Sequence, residues 1–122
     1  MTMHYKTLQE IEAVVAGFEA CTTPKEGFTH LSHLTVGSFY LHTSSPEIAF
    51  EKMRVGLLRF LDHQGVDSAK YNELVTRAWL REIQKVINQS DPGTSLLSLT
   101  NTVLERLGSF RLPTQAHDEA QS

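Results

Sequence analysis

His30 and His33 stand three positions apart in the stretch Phe28-Thr29-His30-Leu31-Ser32-His33-Leu34. On a helix that spacing puts both imidazoles on one face, one turn apart. Two such rings can ligate zinc, nickel or copper, with water or a carboxylate completing the shell. A metal with an open position would polarise a bound water or substrate, which opens hydrolytic or isomerase-like chemistry. A second polar set lies in Lys70-Tyr71-Asn72-Glu73-Leu74-Val75-Thr76-Arg77-Ala78-Trp79. Glu73 is the carboxylate expected to join His30 and His33 at a metal, and His63 is a further candidate. Asn72, Thr76 and Tyr71 are expected to hydrogen-bond a small ligand. Both stretches open segments otherwise built of core residues, so their polarity conflicts with their position.

The elements that must position these groups read as helices. Thr7 with Glu10 forms a capping box, and Leu8, Ile11, Val14, Val15 and Phe18 recur at helical spacing, predicting a first helix from Leu8 to about Cys21. Pro24 to Gly27 breaks the pattern, and Thr29 caps a second helix to about His42. Ser45-Pro46 starts a third, with proline at the first helical position, which ends at Gly65 as a C′ glycine. Asp67 or Ser68 is read as the cap of a fourth helix from about Ala69 to Asn88. Ser90-Asp91-Pro92-Gly93 is a turn, and a fifth helix runs from about Ser95 to Leu107 and stops at Gly108. No segment alternates long enough to be a strand. The expected fold is all-α, an up-and-down four-helix core with one added helix.

In such a bundle the second and fourth helices run parallel. Their N-termini meet at the end where the first and third helices finish, which also gathers Cys21, Asp62, His63 and Glu73. Helix N-termini present unpaired N–H groups and positive partial charge. Beside histidines they suit a small anionic ligand, a carboxylate or a phosphate.

The segments Phe28-x-His30-x-x-His33-Leu34, Arg59-Phe60, Gly65 and Lys70-Tyr71-Asn72-Glu73-x-x-Thr76-x-x-Trp79 resemble a family of small, functionally uncharacterised bacterial proteins. The resemblance covers Gly27 to Trp79 and continues more weakly through Leu96-Leu97. The family pattern there looks like Tyr-His-Glu-Thr-hydrophobic-Thr, so this chain departs from it with Asn72 for a histidine and Leu74 for a threonine. The resemblance implies a shared fold and site. If three histidines hold a metal in that family, Asn72 removes the third.

A competing reading makes the histidines structural, neutral and hydrogen-bonded to Asn72 and Thr76, anchoring the Pro24–Gly27 loop. The second helix also carries Val36, Phe39 and Tyr40 opposite its histidines, a two-sided apolar surface that suggests a non-enzymatic, homodimeric interaction module. Gly37 would let another helix approach closely. Cys21 with a nearby histidine could make a nucleophile and base, although a lone cysteine at a helix end is more often a core residue.

Several classes are excluded. There is no Glu-x-x-His, no His-Glu-x-x-His and no glycine-rich phosphate loop. Arg77, Arg81 and Lys85 line one helix edge, but Glu73 and Glu82 accompany them, and the net charge of −3 gives no field for nucleic acid or an anionic membrane. No apolar run approaches a membrane span, the N-terminus lacks a signal-like apolar core, and one cysteine forms no internal disulfide, which points to the cytoplasm. Apolar residues at 40% of 122 are enough for one core, so 1–113 is read as a single domain and the polar 114–122 as a flexible tail.

Overall fold

The second helix has no polar stripe: Leu34, Thr35, Val36, Gly37 and Ser38 are all buried in succession. Five consecutive buried positions cover more than a full turn, so neighbours must surround this helix on every side. The computed structural model of the protein, which describes residues 4–110, shows them. Helix α2 (His30–Thr43) packs against α1 (Leu8–Glu19), α3 (Pro46–His63), α4 (Glu73–Gln89) and α5 (Leu96–Leu107). The described residues contain no strand, and none of their helices is long and apolar enough to cross a membrane. The expected all-α bundle of five helices is the observed one. The expected tail over 114–122 lies outside the described residues.

Local chemistry sets the helix ends. Thr7 and Glu10 form the capping box that opens α1. Ser45 caps α3 with Pro46 in its first turn, and Ser95 caps α5. Helix α3 ends in a Schellman motif: the Gly65 N–H donates to the Asp62 carbonyl at 3.0 Å and Val66 to Leu61 at 2.9 Å, with Gly65 at φ +72°. Helix α1 ends in the same way without a glycine. Cys21 N donates to Phe18 O and Thr22 N to Gly17 O, with Cys21 in the left-handed region at φ +56°. The first helix therefore closes two residues before the expected Cys21, and Cys21 is a small buried core residue.

The start of the fourth helix is a correction. Asp67 caps only a single 3₁₀ turn over Ser68–Lys70, its carboxylate accepting from Ala69 N at 3.0 Å. Tyr71 then takes extended backbone, and Asn72 is the cap of α4, accepting from Val75 N at 3.0 Å. Two capping side chains five residues apart compete, and half-burial of the Tyr71 ring requires the break between them.

The core is built around aromatic contacts. Phe18 is fully buried, stacked on Phe28 at 4.9 Å and on Phe60 at 6.0 Å between ring centroids. Val36 and Tyr40 belong to the same core with Phe39 packed on it, so both apolar sides of α2 are covered within one chain. The Tyr40 hydroxyl donates to Glu19 at 2.7 Å and ties the end of α1 to α2. A hydrogen bond of this kind contributes about 1 kcal/mol.

Two glycines mark the closest approaches. A Cβ at Gly56 would lie 2.5 Å from the Phe18 ring, which the other aromatics hold in place. A Cβ at Gly37 would lie 2.8 Å from Ile83 Cδ1, the free end of a flexible side chain. Gly56→Ala is therefore expected to lower unfolding free energy by about 1–3 kcal/mol through overpacking. Gly37→Ala is expected to stay within about 1 kcal/mol of the parent, the helix-propensity gain offsetting a small side-chain shift. Urea titration of both variants checks the contrast.

Candidate functional site

The site begins with the cap of α2. Thr29 and Ser32 satisfy each other's backbone N–H groups, and the Ser32 hydroxyl also donates to the Gly27 carbonyl at 3.3 Å. This fixes the direction in which the chain enters the helix and hence where His30 and His33 point. The two rings share the first turn but do different work.

His30 is a clamp. Its Nε2 lies 3.2 Å from the Leu107 carbonyl, which can only accept, so that nitrogen carries the proton. The bond joins an end carbonyl of α5, which also accepts from the Phe110 N–H at 3.2 Å, to the start of α2. The ring rests on Trp79, 4.6 Å between centroids. The expected partners Asn72 and Thr76 do not bond His30; Leu107 does.

His33 sits with its ring edge-on to Phe28, centroids 4.6 Å apart. Burial first, and the neighbouring His30 second, lower its pKa to about 4, against a smaller opposing pull from the Thr29 backbone. At neutral pH the ring is uncharged, with one N–H to donate and one lone pair to accept. Among the described residues no well-aligned hydrogen bond uses it.

Around His33 lie two adjoining cavities between α2, α3 and α4. The inner one, about 240 Å³, is walled by Leu34, Met53, Trp79, Leu80 and Ile83. The outer one, about 390 Å³, opens past Lys70, Tyr71 and Asn72. Phe28, His33, Leu57, Val75 and Thr76 border both, so the two are halves of one cleft. Leu34, Met53, Leu80 and Ile83 give the inner half an apolar wall beside Thr29 and His30, and Lys70, Tyr71 and Asn72 join Phe60 and Leu61 around the outer half.

The remaining expected residues are placed as follows. Thr76 lines the cleft, and its hydroxyl donates to the Asn72 carbonyl at 3.0 Å. Asn72 borders the mouth but spends its side-chain oxygen on the cap. Glu73 falls in the first turn of α4 and turns outward, 3.4 Å from Arg54 and 3.9 Å from Arg77. Both pairs are half-exposed and contribute little to stability. The expected trio His30, His33 and Glu73 is thus not brought together, and among the described residues no three His, Cys, Asp or Glu side chains are grouped to hold a metal. Glu73 lies on the edge of α4 that faces Arg54 of α3 instead of the histidines.

Tyr71 borders the mouth, and its phenol oxygen is buried without a well-aligned partner. Burial raises its pKa, helped by Glu73 and opposed by the adjacent Thr76 hydroxyl, Arg54 and Arg77, so it remains a proton donor. Asp62 and His63 are exposed on α3 and do not border either half of the cleft. Sequence reasoning missed the apolar half of the site. Met53, Leu57 and Ile83 read as ordinary core residues, and only their meeting with the two polar stretches distinguishes them. No family model, curated protein or solved structure matches the chain.

The neutral His33 couples stability to pH. In the unfolded chain an imidazole takes up its proton near pH 6.5, in the fold only near pH 4. Between those values the unfolded state binds more protons, so stability falls as pH is lowered. The full shift corresponds to about 3 kcal/mol at most. His33→Gln is expected to flatten the pH dependence of unfolding free energy across this window. NMR titration should find the His33 ring uncharged at pH 5.5, and a ring that titrates near 6.5 contradicts the assignment.

Proposed function

We propose that the protein binds a small, largely apolar molecule in the cleft between α2, α3 and α4. The molecule's polar atom meets His33 and Thr76. The observation that carries this reading is the uncharged His33 in the wall shared by two adjoining cavities, the inner one lined by Leu34, Met53, Leu80 and Ile83. A neutral imidazole discriminates by hydrogen bonding, not by charge, and is suited to a hydroxyl or carbonyl oxygen. An anion gains no attraction from this ring at neutral pH. A metal would receive at most two nitrogens here, one of them the His30 Nδ1, because Nε2 is committed to Leu107. The two-sided apolar surface that suggested a homodimer is accounted for inside the chain.

The test probe is octan-2-ol, an apolar chain with one hydroxyl. At ten times its Kd it should stabilise the fold by about 1.4 kcal/mol, a shift of several degrees in Tm. Backbone amide shifts should concentrate at His33, Val75, Thr76 and Ile83. Leu57→Trp, which projects into the wall common to both halves, should retain the fold and abolish the response. Shifts scattered over the surface, or an undiminished response in Leu57→Trp, would refute the reading.

The same probe separates the two histidines. His30→Ala is expected to cost about 1 kcal/mol of stability by removing the bond that joins α2 to α5, the Leu107 carbonyl keeping the Phe110 N–H, while octan-2-ol still binds. His33→Leu is expected to leave stability at neutral pH unchanged or raised, while weakening the alcohol. Thermal unfolding of both variants with and without the probe checks this reversal.

A further inference from the structure

We infer that the ligand is an amphipathic carboxylate: an alkyl chain in the inner cavity, a hydroxyl or oxo group at His33 and Thr76, and the carboxylate at the mouth against Lys70 and Tyr71. This rests on the cleft reading above and adds its charged end.

Three observations at the mouth carry it. The first is the order of polarity along the cleft. Met53, Leu80 and Ile83 form an apolar wall of the inner half, His33 and Thr76 stand in the wall common to both halves, and Lys70, Tyr71 and Asn72 are the polar residues of the outer half, beside Phe60 and Leu61. A molecule matching that order has an apolar tail, one polar group and a charged or strongly polar head.

The second is the Tyr71 phenol. Its oxygen is buried with no well-aligned partner. The nearby Thr76 has given its own proton to the Asn72 carbonyl. Buried donors are almost always satisfied, so the Tyr71 O–H is free to donate to an acceptor supplied from outside the fold. A carboxylate is the strongest acceptor among common small-molecule groups, and an O–H bond to it is short and charge-assisted.

The third is charge. The acids around the mouth are already engaged: Glu73 with Arg54 and Arg77, Glu51 with Arg54, and Asp67 with the Ala69 amide. Lys70 borders the opening and has no ion pair among the described residues. It is the cation left to meet an anionic head. Because His33 stays neutral, the charge recognition and the hydroxyl recognition fall to different residues and can be tested apart.

The experiment compares 3-hydroxyoctanoate with octan-2-ol on the full chain, by calorimetry at low ionic strength. The acid should bind about tenfold more tightly than the alcohol, the worth of one charge-assisted contact. Lys70→Met and Tyr71→Phe should each erase most of that gain and leave the alcohol's affinity unchanged. Lys70 is exposed, so its replacement does not threaten folding. Tyr71→Phe removes a hydroxyl the fold does not use, and its Tm should be equal or higher. If the alcohol binds and the acid binds no better, or if neither variant lowers the acid's affinity, the carboxylate assignment is overturned while the cleft stands. If neither compound binds, both are overturned.

Discussion

A helix with no face to solvent is the constraint on which this structure depends. Helix α2 is enclosed by the other four, so each polar group it carries must find its partner inside the protein. Ser38 returns its hydroxyl proton to the Leu34 carbonyl at 2.7 Å. Thr35 does the same to Leu31 at 2.8 Å and also meets the Tyr5 hydroxyl at 2.9 Å. His30 is satisfied by Leu107 across the α2–α5 contact. Of the two rings in the first turn of α2, His33 is the one left without such an arrangement, and it stands in the wall shared by both halves of the cleft. The Tyr71 phenol, on the outer half of the same cleft, is likewise without a well-aligned partner.

The cleft follows from how the surrounding helices approach. Gly37 brings α4 close to α2 halfway along, and Gly56 lets the Phe18 ring press into α3. Above these contacts the aromatic group of Phe18, Phe28 and Phe60 fills the space between α1, α2 and α3. Helix α4 begins only at Glu73, so its N-terminal side is met by the extended Tyr71 and a 3₁₀ turn instead of a further helical turn. The space that a continuous fourth helix would have packed is the mouth of the cleft.

Much of this was legible beforehand. Thr7 with Glu10, Ser45 with Pro46, Gly65 and Ser95 are local signals, each a side chain or a left-handed residue answering an unpaired backbone group at a helix end, and they placed the helices within a residue or two. The meeting of the His30–His33 segment with the Tyr71–Trp79 segment was also foreseeable from helix direction. What periodicity could not decide was which of Asp67 and Asn72 caps α4, because both are good caps and only tertiary burial of Tyr71 separates them. That choice made Asn72 a cap instead of a facing ligand. The partner of His30 was equally hidden. A backbone carbonyl at position 107 has no sequence signature, and it is found only once α5 lies against α2.

The account's central claim is that the apolar half of the cleft receives the ligand's chain while His33 holds its polar atom. Intermolecular NOEs from the terminal methyl of bound octan-2-ol test this most directly, on protein with labelled methionine and isoleucine methyls. The account predicts NOEs to Met53 and Ile83 in the inner half, and none to Ile48, which is exposed on α3. NOEs confined to Ile48, with Met53 and Ile83 silent, would contradict it.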